Sequence, residues 1–85
     1  MQPDDVTVTT LAEAFVAAEA PSLRGDRLFD SMIGAVMMTL LDDDTDPTSA
    51  ILRIGRSHSF QFKAGAGERL AQAHANARPW RSASA

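Results

Sequence analysis

The densest hydrophobic pattern in the chain is Leu28, Phe29, Met32, Ile33, Val36, Met37, Leu40 and Leu41, adjacent pairs recurring every four residues. By periodicity alone this is one long helix with a wide apolar face. Two features speak for another reading. Such a helix would run into Asp42, Asp43 and Asp44, setting three negative charges against the negative end of its dipole. It would also contain Gly34, and glycine in a helix interior is about 1 kcal/mol worse than alanine. The reading taken is therefore a short helix from Asp26 to about Ile33, a break at Gly34, and a buried strand over 35–41 that enters an acidic turn.

Upstream, Thr10 and Glu13 have capping-box spacing, and Leu11, Ala14, Phe15 and Ala18 repeat at helical intervals until Pro21. They predict an amphipathic helix near 10–20. Residues 42–49, with Pro47, read as a loop. Beyond it, Ile51, Leu52 and Ile54 predict one strand, and Phe60 and Phe62 put two aromatics on one face of a second. Pairing Leu52 with Phe62 and Ile54 with Phe60 makes a hairpin whose loop is either Arg56-Ser57-His58 or the five residues 55–59. Ala64 to Gly67 is a flexible connection, and a weakly amphipathic helix follows from Glu68 to Arg78 (Leu70, Ala73, His74, Ala77), stopped by Pro79. The predicted fold is α+β: an antiparallel β-hairpin or small sheet over about 35–63, flanked by helices near 10–20 and 68–78. The chain has room for a single small domain, with residues 1–9 and 82–85 expected as flexible ends.

Composition narrows the functional classes. Hydrophobic residues are 45% of the chain and charged residues 22%, ordinary globular usage. The absence of cysteine excludes a disulfide framework, thiolate zinc sites and cysteine nucleophiles. The acidic start Met-Gln-Pro-Asp-Asp is unlike a signal peptide, and no apolar run reaches the roughly 20 residues that span a bilayer. A cytoplasmic protein without membrane attachment is expected. The net charge of −3 conceals a division: residues 1–50 carry −8 and residues 51–85 carry +5. Two such halves either neutralise each other in one folded domain or present a basic surface to an acidic partner. Internal neutralisation is the preferred reading.

Each candidate for chemistry fails on a named residue. Asp42, Asp44 and Asp46 have the alternation that opens a calcium loop, but Pro47 stands where its glycine belongs and Arg53 where its final glutamate belongs. Gly65-Ala66-Gly67 precedes a helix as a phosphate cradle would, yet Leu70 replaces the third glycine and Glu68 sets a negative charge at the helix start. His58 and His74 have no further ligand at metal spacing, and nothing marks Ser57 or Ser59 as an activated nucleophile. Arg53, Arg56, Lys63 and Arg69, interleaved with Phe60 and Phe62, resemble a face for single-stranded nucleic acid. The phenylalanines are wanted for the hairpin's core, however, and the chain as a whole is acidic, so nucleic acid is the lesser reading.

The run Ile33-Gly34-Ala35-Val36-Met37-Met38-Thr39-Leu40-Leu41-Asp42, then Ile51-Leu52-Arg53-Ile54-Gly55-Arg56-Ser57-His58, then Phe60, Phe62 and Gly65 to Gly67, resembles the first half of a GAF domain. In that family a helix bends into a central strand ending in aspartate, and a hairpin leads to a second strand. The stretch from Glu68 to Trp80 is similar to the helix that precedes the family's next strand, so the likeness covers about residues 25–81. It implies a truncated module, because a complete GAF domain continues into the strands and helices that close its small-molecule pocket.

The expected function is a small non-catalytic regulatory or protein-interaction protein, neither an enzyme nor a cofactor carrier. It would bind a protein partner through Arg53 and, at the hairpin tip, Arg56 and His58. A homodimer is expected as well, because a half-sized sheet leaves an unpaired edge. A GAF-like sensor of a small ligand is the alternative, and a nucleic-acid-binding accessory protein the lesser one.

Overall fold

The computed structural model describes the backbone of residues 3–84 and the side chains of residues 8–81. Five helices follow in order: α1 (Pro3–Glu19), α2 (Arg27–Leu40), α3 (Pro47–Ser57), α4 (Ala66–Asn76) and α5 (Arg78–Ser84), with a 3-10 turn at Pro21–Leu23 between the first two. No strand occurs among the described residues, so the α+β expectation, with its hairpin over 50–63 and its sheet over 35–63, is overturned. The GAF-like reading loses its two strand segments with it. Residues 35–41 belong to α2 and its C-cap, and residues 51–54 lie inside α3.

Local chemistry explains the helices. Asp26 caps α2, its carboxylate accepting from the Leu28 N–H at 2.9 Å. Gly34 does not break the helix because it sits on the exposed side, where only its modest propensity cost is felt. Asp46, Pro47 and Ser49 start α3. The Asp46 carboxylate accepts from the Ser49 N–H at 3.2 Å and from its hydroxyl at 2.6 Å, and Pro47 occupies the first turn, where a missing N–H costs nothing. A residue run of Ile51, Leu52 and Ile54 suits either period, and this cap decides for helix. At the chain start, α1 begins seven residues ahead of Thr10, so the proposed capping box falls inside a helix. Its buried face is Val8, Ala12, Phe15, Val16 and Glu19, while Ala14 and Ala18 of the expected stripe are exposed.

Packing follows from these faces. α1 lies chiefly on α2, and α3 on α4. Met32, Val36 and Leu40 of α2, Ala50 and Ile54 of α3, and Leu70 and Ala73 of α4 with its C-cap Ala77 join the α1 stripe in one core. The close approach of α3 to α4 needs Gly67, where a Cβ would stand 3.1 Å from the Thr48 hydroxyl oxygen. Two ion pairs tie the acidic half to the basic half. The buried Glu19 carboxylate receives the Arg69 guanidinium on both oxygens, one through Nη2 at 2.9 Å and the other through Nε. Arg81, 8% exposed, donates Nε to Asp43 at 2.8 Å.

Arg81 does more than pair. Its Nη1 donates to the Leu40 carbonyl at 2.8 Å and to the His74 carbonyl at 2.6 Å, the C-terminal ends of α2 and α4. A cation is thus held where two helix dipoles are negative. His74 adds a second tie, Nε2–H donating to the Asp42 carbonyl at 2.7 Å. The remaining acids are used locally: the Asp42 carboxylate accepts from the Asp44 N–H at 3.0 Å and the Thr45 hydroxyl at 3.3 Å. The run that argued against a helical α2 is therefore its closing joint. No helix among the described residues is long and apolar enough to cross a membrane.

Arg81→Met keeps bulk but strands two carbonyls, and it is expected to lower unfolding free energy by about 2–4 kcal/mol. Asp43→Asn should cost little, because that carboxylate side chain is 79% exposed. Urea denaturation midpoints separate the two; an Arg81→Met midpoint equal to wild type would sink the clamp. A pH effect follows at the α3 cap. The Ser49 hydroxyl, and after it the Ser49 N–H, hold the Asp46 carboxyl below its ordinary value of 3.8. A carboxylate depressed in the fold contributes its stability above the unfolded pKa and loses it as pH falls through the lower folded value. Asp46→Ala should therefore be less stable than wild type at neutral pH, the gap closing below pH 3.8 in parallel denaturation series.

Candidate functional site

The chain after α3 turns back along it. His58 ends the helix, and Ser59 adopts φ 50°, the left-handed conformation that glycine usually supplies. From there the Phe60 N–H reaches back to the Gly55 carbonyl at 2.8 Å and the Ser59 N–H to the Arg56 carbonyl at 3.3 Å. Gly55 is required by this return, since a Cβ there would lie 2.7 Å from the Phe60 carbonyl oxygen. Residues 60–63 then pass beside α3 without forming a helix or a strand.

Between α3 and this returning segment lies an open groove of about 710 Å³. Ile51, Leu52, Gly55 and Arg56 form the helical wall, and residues 59–63 with the start of α4 form the other. Phe62 is fixed from both sides, by Phe60 edge-on at 5.0 Å between ring centroids and by Phe15 of α1 at 6.4 Å. Phe60 and Phe62 are each only half-buried, so the floor stays apolar and accessible. Leu52 stands at the edge, 60% exposed. Arg56 and Lys63 stand exposed among the lining residues, which include no carboxylate.

The three residues expected to bind a partner are not brought together. Arg56 lines the groove; Arg53 is exposed on α3 but does not line it. His58 is buried, with both ring nitrogens engaged: Nδ1 donates to the Ile54 carbonyl at 2.8 Å, and Nε2 meets the Ser31 hydroxyl at 3.0 Å. It is a rivet between α3 and α2. Sequence reasoning weighed Lys63, Phe60 and Phe62 as a nucleic-acid face but set it aside by assigning the phenylalanines to a hairpin core, and it placed Leu52 in that hairpin too. The available signal was Leu52, which at helical spacing falls off the face shared by Ile51, Ile54, Gly55 and His58. Gly65 and Gly67 serve helix start and close packing: Gly65 caps α4 with φ 86°, and Gly67 lies against Thr48.

The groove offers no imidazole and no carboxylate as a general base, and its one lining hydroxyl, Ser59, neighbours a histidine whose nitrogens are both occupied. No group of three or more histidine, aspartate or glutamate side chains among the described residues is placed to hold a metal ion. Against family models, curated proteins and solved structures the chain has no match.

Ser59→Gly relieves the left-handed residue and is expected to raise stability by about 1 kcal/mol. Gly55→Ala forces the return segment outward and should cost about 1–3 kcal/mol. Thermal melts check both, and a destabilised Ser59→Gly would show that the Ser59 side chain contributes more than its backbone costs.

Proposed function

We propose that this chain is a small non-catalytic interaction module that recruits a protein partner by holding an extended segment of it in the α3 groove. The carrying observation is the groove itself: an aromatic floor in Phe60 and Phe62, an apolar edge in Leu52, and a cationic pair in Arg56 and Lys63. Charge complementarity makes the favoured occupant acidic as well as apolar. An open trough suits a peptide better than a small metabolite, which is usually held with most of its surface enclosed. The Gln61 and Phe62 backbone N–H groups pair with no backbone carbonyl among the described residues, which favours a ligand that presents main-chain acceptors. The setting proposed is the cytoplasm, consistent with a chain that contains no cysteine.

The test uses two synthetic peptides with one leucine pattern, alternated with glutamate in the first and with lysine in the second. Calorimetric titration should detect the acidic peptide alone, with amide shifts concentrated at Leu52, Arg56 and residues 61–63. Arg56→Glu combined with Lys63→Glu should weaken it at least tenfold, two rim pairs of about 0.7 kcal/mol each, with an unchanged melting temperature. Equal binding of both peptides, or shifts elsewhere, would reject the groove as the site.

A further inference from the structure

The C-terminal end of α1 supports the groove in two places. Phe15 stands behind Phe62, the ring centroids 6.4 Å apart. Glu19, one turn further on, is 5% exposed and is held by Arg69. A carboxylate so buried needs a cation and hydrogen bonds to offset its lost hydration. Arg69 supplies both side-on, through Nε and Nη2, and this leaves Nη1 on the other edge of the guanidinium for a third acceptor.

That acceptor is the Ala64 carbonyl, at 3.2 Å. Ala64 lies in the turn over 63–66, which the Ala66 N–H closes by donating to the Lys63 carbonyl at 3.2 Å. Lys63, Gly65 and Ala66 of this turn line the groove. Gly65 is needed there twice over: its φ is 86°, and a Cβ would stand 2.9 Å from Arg69 Nη1. The guanidinium therefore backs the groove wall at its bend. We infer that Arg69, held by Glu19, is a positioning residue of the groove: it sets where the 63–66 turn, and with it the Lys63 cation, stands relative to the Phe62 floor that Phe15 supports. This rests on the peptide-binding reading of the groove and adds a coupling to it. One helix end fixes both the floor and the cationic wall, so the grip on a ligand and the seating of that helix end depend on each other, reciprocally. Arg69 itself is not among the lining residues and acts through the turn. A lysine in its place keeps a charge for Glu19 but lacks the planar fork that spans Glu19 and Ala64 together.

Arg69→Lys is expected to keep the helical circular dichroism and to weaken calorimetric binding of the leucine and glutamate peptide about fivefold, the low end of couplings between separate sites. Glu19→Gln should weaken it in the same direction. Added to Arg69→Lys, however, Glu19→Gln should have no further effect on affinity, because the path to Ala64 is already cut. Reciprocity gives a readout that general loss of stability does not: the peptide should slow hydrogen exchange at the amides of residues 16–20 in the wild type, and slow it less in Arg69→Lys. If the wild type binds the peptide and Arg69→Lys binds it equally well, or if the two substitutions weaken binding additively, the positioning role is overturned and the groove reading stands. A wild type that binds no peptide overturns the groove reading and this inference with it.

Discussion

A guanidinium buried near the end of the chain governs how the helices can be arranged. Arg81 sits where α2 and α4 both present their last carbonyls, and it satisfies one from each. Helix C-termini are negative, and two of them brought together repel. A cation between them turns that repulsion into attraction, and Asp43 supplies the counter-charge on the solvent side. Burying an arginine without partners would be costly, yet here its Nε and Nη1 reach three acceptors. The consequence is positional: α5 holds the end of α2 against the end of α4, and so fixes where the Asp42–Asp46 loop delivers α3.

The same contact explains why the sequence was hard to read at α2. The apolar pairs from Leu28 to Leu41 describe a helix correctly. Three aspartates at the negative end of a dipole were a sound local objection. It fails because the neutralising charge lies about forty residues away in sequence, at a separation no pattern within one element reveals. Gly34 misled for another reason. Its propensity cost is real, but the exposed face carries it and the helix's buried face outweighs it.

At α3 the information was local and went unused. Asp46, Pro47 and Ser49 form a helix start, with an acceptor side chain, a residue needing no N–H, and a donor at the third helical position. Ile51, Leu52 and Ile54 were assigned to a strand on composition, where the cap should have taken precedence. The groove was less legible still. It exists because Ser59 takes a conformation usually reserved for glycine while Gly55 leaves room for the returning carbonyl. Neither residue advertises that role in isolation, and a Phe-x-Phe pair reads as a strand whether or not another strand lies beside it.

Charge ties the interior to the surface. The two ion pairs that cross between the acidic and basic halves, Glu19 with Arg69 and Asp43 with Arg81, each bury one of their charges. Internal neutralisation therefore uses Arg69 and Arg81 and leaves Arg53, Arg56 and Lys63 exposed along α3 and its return segment. The chain as a whole carries −3 and would repel an acidic ligand at long range. At physiological ionic strength, however, charges separated by more than about 8 Å are largely screened from each other. An arriving carboxylate then responds first to Arg56 and Lys63, which stand among lining residues that include no carboxylate. Segregation after partial neutralisation is what allows an acidic protein to keep a basic site.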